Sequence, residues 1–355
     1  MSKFLNDAYQ SLVEYAPGEQ PKDMKYIKLN TNESPYSPSA GVLEAINADA
    51  ASLLKLYPDP DCAELRTKIA DLFGYKKENV FVSNGSDDIL NFAFMAYASE
   101  QKPVAFPEIS YGFYKVFAEL YGIPCKKIPL KEDFSIDPDD YCGIGCLVVI
   151  ANPNAPTGRA LSVADIEKIV KSNPDNVVLI DEAYVDFGAK SVYPLTEKYK
   201  NLLVVQTFSK SRSMAGARLG FAIADEGIIS DLERIKYSTN PYNVNRLTQL
   251  AGTCAVRENE YYMQNCKRII ATREYTVREL EKIGFTVIPS KANFIFAKSD
   301  KTDGKSLYER LKKNGVLVRH FDDPRISDYN RITIGTDEDM QTFISIVKKI
   351  LEESI

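Results

Sequence analysis

Short, unbroken apolar runs alternate with amphipathic stretches through the first two-thirds of the chain. Val80-Phe-Val82, Pro103-Val-Ala-Phe106, Cys146-Leu-Val-Val-Ile150, Val177-Val-Leu-Ile180, Leu202-Leu-Val-Val205 and Leu219-Gly-Phe-Ala-Ile223 contain no polar alternation. Each therefore predicts a strand buried on both faces. Helical spacing over residues 39–54, 61–73, 88–97, 111–121 and 162–171 fills the gaps, with Asp61 as a cap and Glu64 three residues on. Such an order means an α/β domain whose mostly parallel sheet is covered by helices on both faces.

The pattern changes after about Asn240. Residues 243–257 and 258–283 read as helices, followed by strands at 285–288 and 293–297, a helix at 305–313, strands at 316–319 and 330–334, and a last helix from Asp337. This predicts a smaller α+β domain. Pro17, Gly18 and Pro21 mark residues 1–30 as an extended arm. The expected division is an arm at 1–30, a large domain at 31–242, which the chemistry below makes the cofactor-binding one, and a small C-terminal domain at 243–355.

Composition narrows the function. Apolar content of 45% and charged content of 26% over 355 residues are those of a globular protein. A net charge of −5 offers no broad basic field, so neither nucleic acid nor an anionic membrane is an expected partner. No long apolar segment opens the chain and no run reaches membrane-spanning length, so a cytoplasmic location is expected. The six cysteines are scattered, and a single histidine, His320, argues against histidine-based metal sites and Ser-His-Asp catalysis. His320 at a strand end reads as structurally satisfied, the alternative being a base or a reader of an imidazole.

The candidate chemistry lies where strands end. Between two apolar runs stand Ser209, Lys210 and Arg218, with Gly216 and Gly220 allowing the chain to turn. A lysine set beside an arginine has its protonated form disfavoured, the condition for an amine that attacks carbonyls. Ser209 and Arg218 offer a hydroxyl and a guanidinium to a phosphate. Asp181 closes an apolar strand, either as a cap or ion-pair partner or as a carboxylate that keeps a pyridine nitrogen protonated. Tyr184 could donate to a phenolate on the same ring. Gly85-Ser86-Asp87 opens a helix and so forms an anion site, or merely a cap. Tyr111 stacks on a ring or belongs to the core. Lysine, aspartate, tyrosine and phosphate cup together describe pyridoxal 5′-phosphate.

The ordered motifs Leu29-Asn-Thr-Asn-Glu-Ser-Pro-Tyr36, Leu56-Tyr-Pro-Asp-Pro60, Asn84-Gly-Ser-Asp87, Asn152-Pro-Asn-Ala-Pro-Thr-Gly158, Asp181-Glu-Ala-Tyr184, Ser209-Lys210, Pro241-Tyr-Asn-Val-Asn245 and Arg331-Ile-Thr-Ile-Gly335 span nearly the whole chain. In them the sequence resembles the fold-type I pyridoxal-phosphate aminotransferases, most closely the branch that acts on histidinol phosphate. The resemblance implies that Lys210 carries the cofactor and shuttles a proton between Cα and C4′. It pairs Asp181 with the pyridine nitrogen and Tyr184 with O3′, and stacks Tyr111 on the ring. Gly85, Ser86, Asp87, Ser209 and Arg218 would meet the phosphate. Tyr57 would reach the neighbouring subunit's cofactor, making a homodimer, and Arg331, supported by Arg319, would bind the acidic end of the substrate. The implied reaction is transamination between L-histidinol phosphate and 2-oxoglutarate. A threonine-phosphate decarboxylase or an aromatic aminotransferase of the same fold are rivals, and a cofactor-binding regulator without turnover is a third.

One departure stands out. The family usually carries Asn immediately before Pro-Thr-Gly, where its amide donates to O3′; here the residue is Ala155. Either Asn154 is turned into that role or Tyr184 holds O3′ alone.

Overall fold

The computed structural model describes residues 2–10, 12, 13 and 15–353; Met1, Ser11 and Glu14 of the expected arm and Ser354 and Ile355 of the last domain lie outside the described residues. A short strand β1 (Ile27–Lys28) comes first. Seven strands then build the large sheet: β2 (Val80–Ser83), β3 (Val104–Pro107), β4 (Cys125–Ile128), β5 (Leu147–Ala151), β6 (Val178–Asp181), β7 (Leu202–Thr207) and β8 (Gly220–Ala224). Their order is β2-β8-β7-β6-β5-β3-β4. All neighbours are parallel except β8, which runs antiparallel to both β7 and β2.

Because side chains alternate across a strand, each run feeds two cores at once. Leu203 and Val205 join Leu147, Val149 and Phe81 beneath the helices Ser86–Tyr97, Phe113–Leu120 and Glu226–Thr239. Leu202 and Val204, with Val148 and Ile150, face the opposite side against Ile166, Ile169 and Val170 of the helix Val163–Ser172. That is the physical content of an unbroken apolar run: both faces of the sheet are covered.

Four points differ from the sequence expectations. The stretch 39–54 is not one helix but two, Ala40–Ala45 and Ala48–Ser52, followed by a 3₁₀ turn, because the Asn47 side chain accepts from Ala50 N and starts a new helix. Asp61 does not cap the next helix, which begins at Ala63 after a left-handed Cys62. Asp59 instead accepts from the backbone N–H groups of Asp61 and Ala63, and Asp61 turns to Arg66. Strand β4 carries Lys126 and Lys127 exposed at the sheet edge, where charge discourages further pairing but hides the apolar signal. The helix Glu226–Thr239, capped by Asp225, is an addition to the elements assigned above.

Beyond the large sheet, β9 (Phe285–Ile288), β10 (Phe294–Ser299), β11 (Val316–Leu317), β12 (Arg319–His320) and β13 (Asn330–Thr333) follow. An antiparallel sheet of order β12-β13-β10-β9 packs Ile295, Ala297 and Ile332 with the helices Asn259–Glu281, Gly304–Lys313 and Asp337–Glu352. Strand β11 pairs in parallel with β1, so the first ordered strand is tied to the C-terminal part of the chain. The helix Arg246–Arg257 goes the other way: its Ala251, Ala255 and Val256 pack with Val80 and Val82 of the large sheet.

Candidate functional site

The carboxyl ends of the parallel strands open onto a cavity of about 330 Å³. Ala151, Asp181 and Thr207 are the last residues of β5, β6 and β7, and all three line it. Ser86, Asp87, Tyr111, Tyr184, Ser209, Lys210 and Arg218 line it too, so these seven residues singled out in the sequence share one cavity with Asp181.

Lys210 follows β7 in a loop that lifts its amine to the centre. Its Nζ donates to Thr31 O at 3.2 Å and lies 5.8 Å from the centre of the Tyr184 ring. Burial lowers its pKa to about 8, with Arg331 the next contributor. Arg218, the neighbour expected from the sequence to disfavour the charged form, acts in the same direction but less than Arg331. Desolvation does most of the work because a charged amine loses its water there.

Asp181 is buried, and its Oδ2 accepts from the Tyr114 hydroxyl at 2.8 Å while Oδ1 accepts from Ala183 N at 3.2 Å. Burial nevertheless pushes the carboxyl up to about 6, with these two donors opposing the shift. Facing it across the cavity, the helix Ser86–Tyr97 begins at Gly85, whose φ of +84° and missing side chain leave the first N–H groups uncovered. A Cβ at Gly85 would stand 2.7 Å from Arg218 Nη2, and one at Gly220 only 2.4 Å from Ser86 N. These glycines therefore let the Arg218 loop close on the helix start. Arg218 itself has φ +52°, strained for a non-glycine residue, and its Nη2 meets Asp87 Oδ2 at 2.9 Å. Asp87 Oδ1 accepts from the Tyr111 hydroxyl at 2.8 Å, which fixes that ring over the cavity. Asn243 donates to Ser83 Oγ at 2.7 Å and to Asp88 Oδ2 at 2.9 Å, pinning the same helix start from behind.

A second cavity of about 490 Å³ shares Thr31, Tyr111, Ala155, Tyr184 and Lys210 with the first and adds Tyr15, Arg319 and Arg331. Arg331 donates through Nη2 to Asn30 O at 2.9 Å, and its Nε is among the buried polar atoms with no partner. Its guanidinium lies 5.5 Å from Phe294 and 5.8 Å from Phe321, and burial lowers its pKa. Arg319 donates to the carbonyls of Ala16 and Pro17 and so holds the arm across this opening.

Two residues lie elsewhere. Asn154 is not turned toward the cavity: its amide nitrogen donates to Ile109 O at 2.9 Å and Thr157 Oγ1 at 3.1 Å, while its oxygen accepts from Ser110. With both ends of the amide engaged, it holds the loop together, and Ala155 presents its methyl to the cavity instead. Tyr57 is 77% exposed and stacks on Tyr242 at 4.6 Å, outside this chain's own cavity. Tyr114, Thr207, Thr31 and Glu33 are site residues the sequence reading did not pick out. Thr207 had a signal in its place at the end of an apolar strand, and Thr31 and Glu33 in theirs within the Leu29–Tyr36 motif.

Chemically, the first cavity offers an anion cup, a carboxylate, an aromatic face and a buried amine of lowered basicity. The donor set fits a phosphorylated aromatic aldehyde, with the second cavity as the place for an acidic reactant. Among the described residues no group of three or more metal-ligating side chains is found, and no helix is long and apolar enough to cross a membrane.

The family model for aminotransferase class I and II matches residues 24–347. The histidinol-phosphate aminotransferase of Marinomonas sp. (strain MWYL1) is 51% identical over 353 residues, 99% of this chain and 100% of that one. In fold, the structure of histidinol-phosphate aminotransferase from Sinorhizobium meliloti, solved with pyridoxal-5′-phosphate, superposes with a TM-score of 0.89 at 20% identity, covering 100% of this chain and 99% of that one. L-threonine-O-3-phosphate decarboxylase from Porphyromonas gingivalis gives 0.81 at 21% identity, over 92% of this chain and 99% of its own.

Proposed function

The chain belongs to the class I and II aminotransferases, and from that premise we propose that it transfers the amino group of L-histidinol phosphate to 2-oxoglutarate, giving imidazole acetol phosphate and L-glutamate. One observation carries the reading: Lys210 lies at the wall shared by the two cavities, with the Asp181 carboxylate in one and the Arg331 guanidinium in the other.

When bound, pyridoxal 5′-phosphate supplies a ring that accepts the electron pair left at the substrate's Cα. The residues present fit that group. Ser86 and Asp87 at the helix start, with Ser209 and Arg218, hold the phosphate. Gly85 leaves room for Arg218 to reach it. Asp181 holds the pyridine nitrogen protonated, Tyr111 covers the ring face and Tyr184 donates to O3′. Lys210, whose amine lies in the same cavity, would hold the aldehyde carbon. Once freed, its amine can move a proton at Cα near neutral pH, because its pKa of about 8 keeps a useful fraction unprotonated.

Arg331 holds the phosphate of histidinol phosphate and, in the second half of the cycle, a carboxylate of 2-oxoglutarate. Its unpartnered Nε and aromatic surroundings leave planar donors ready for such a group. Arg319 supports it from the arm side.

A cytoplasmic homodimer, with Tyr57 completing the partner's phosphate cup, belongs to the same proposal. Leu43, Ile46, Leu53, Leu54, Leu56 and Tyr57 are all exposed along one short segment, an apolar surface of the kind a second copy covers. The division into an arm (1–30), a large domain (31–242) and a small domain (243–355) is proposed as a functional one, with the arm and small domain supplying the substrate side of the site.

Borohydride reduction of the cofactor-loaded enzyme followed by peptide mapping tests the assignment. The label is expected on Lys210, and a label on any other lysine contradicts it.

A further inference from the structure

Ala155 lines the cavity beside Tyr184 and brings no side-chain hydrogen-bond donor to it, and the structure shows what surrounds that tyrosine. Tyr184 packs against an apolar wall of Ala155, Ala292 and Phe294, the last edge-on at 5.1 Å. Its hydroxyl oxygen accepts a hydrogen bond from Asn32 Nδ2 at 3.0 Å.

Asn32 is held very firmly for a residue outside any helix or strand. It is 1% exposed and has a left-handed φ of +56°, which Asn tolerates better than most residues. Its backbone N–H donates to Thr333 Oγ1 at 2.9 Å, and its carbonyl accepts from Asn293 Nδ2 at 3.0 Å. The Thr333 hydroxyl donates in turn to Asn32 Oδ1 at 3.0 Å. That last bond fixes which end of the amide faces which way: the oxygen takes the threonine proton, so the NH₂ faces Tyr184.

A phenol has one proton to give. With its oxygen already accepting from Asn32, the Tyr184 O–H is left to point into the cavity that the ring lines. We propose that Asn32 is a positioning residue, which by donating to Tyr184 aims that tyrosine's single proton at the cofactor's O3′ and so makes up for the amide that Ala155 lacks. The proposal rests on the cofactor reading above. Burial raises the Tyr184 pKa and the Asn32 bond opposes that rise, the direction expected for a donor that makes the phenol a better proton giver.

The test uses cofactor-loaded enzyme and reads the pH midpoint of the absorbance of the Lys210-linked cofactor, which follows proton affinity beside O3′. Asn32→Asp keeps the shape and the Thr333 contact but presents an acceptor to Tyr184, drawing the phenol's proton away from the ring. Asn32→Gly keeps the left-handed backbone and removes the donor without adding charge. Both should hold the cofactor and move the midpoint upward, by about 1–2 units for a lost bond to a charged oxygen. In a Tyr184→Phe background Asn32→Gly should not move it further, because there is no proton left to aim. An unchanged midpoint in both variants overturns the proposal, as does an equal shift on Asn32→Gly in the Tyr184→Phe background. Loss of the cofactor or of the fold in both would make Asn32 a scaffold residue only. Should the parent enzyme show no lysine-linked absorbance, the cofactor reading falls instead.

Discussion

Tyr114 donates its hydroxyl to Asp181 Oδ2 at 2.8 Å, and neither side chain reaches bulk water. A carboxylate buried in this way costs desolvation energy, and this bond together with the Ala183 N–H returns part of it. Removing the hydroxyl in Tyr114→Phe should therefore favour neutral Asp181 and weaken its hold on the ring nitrogen. Turnover is expected to fall roughly ten-fold with the cofactor still bound, since one bond to a charged group is lost. Asp181→Asn should go further, by about 10²–10³. Steady-state kinetics on both decide it, and a Tyr114→Phe enzyme with parental turnover would show that the tyrosine only packs.

Glu182, next in the chain, makes a prediction about stability. It is buried with Ser191, Val192 N and Gln206 as donors, and burial raises its pKa to about 7 from the usual 4.5. A raised carboxyl pKa means the folded protein binds the extra proton, so this contribution is fully present below about pH 4.5 and lost as pH rises through 7. Asp181 acts in the same sense up to about pH 6, whereas Lys210 acts in the opposite sense between about 8 and 10.5. Glu182→Gln should thus flatten the pH dependence of the unfolding midpoint between pH 5 and 7.5, by an amount on the order of 3 kcal/mol. Melts of parent and variant at both pH values provide the check, and parallel curves refute it.

Arg331→Ala should leave cofactor binding intact, because the residue sits in the second cavity and not against the phosphate cup. Reaction with histidinol phosphate and with 2-oxoglutarate should both suffer, each lost charge-assisted bond being worth roughly 1.5–3 kcal/mol. Lysine at this position should restore only part, since it keeps charge without the planar fork. Kinetics of the two half-reactions measure this directly; an alanine variant as good as the parent toward histidinol phosphate would move the phosphate site elsewhere.

For Tyr57→Phe the expected signature is concentration dependence. A hydroxyl delivered by the partner is felt only in the dimer, so cofactor loss should worsen on dilution more steeply than in the parent. Sedimentation with absorbance detection of the cofactor reads both quantities together. A fully active monomer contradicts the shared site.

The strands that build the cavity could be read from the chain because Val177-Val-Leu-Ile180 and Leu202-Leu-Val-Val205 bury both faces, which leaves no polar alternation to confuse them. The first ends in Asp181 and the second leads through Thr207 into the loop that carries Lys210, so both residues announce themselves by position. What stayed hidden is what depends on approach in space. Tyr114 sits on a helix face like any core aromatic, and only the fold brings its hydroxyl to a carboxylate 67 positions away. Asn32 likewise gains its meaning from Thr333, 301 positions on. The orientation of Asn154 turns on Ser110 and Ile109, partners that spacing within its own motif does not reveal. Lys126 and Lys127 hid an edge strand by doing what edge residues do.

The central claim is that the enzyme takes an amino group from histidinol phosphate and gives it to 2-oxoglutarate. Stoichiometric addition of L-histidinol phosphate to the cofactor-loaded protein, followed by 2-oxoglutarate, tests it most directly by absorbance. The lysine-linked band should disappear on the first addition, return on the second, and yield one equivalent of L-glutamate. A band unmoved by histidinol phosphate, with threonine phosphate instead consumed and carbon dioxide released, would contradict the account.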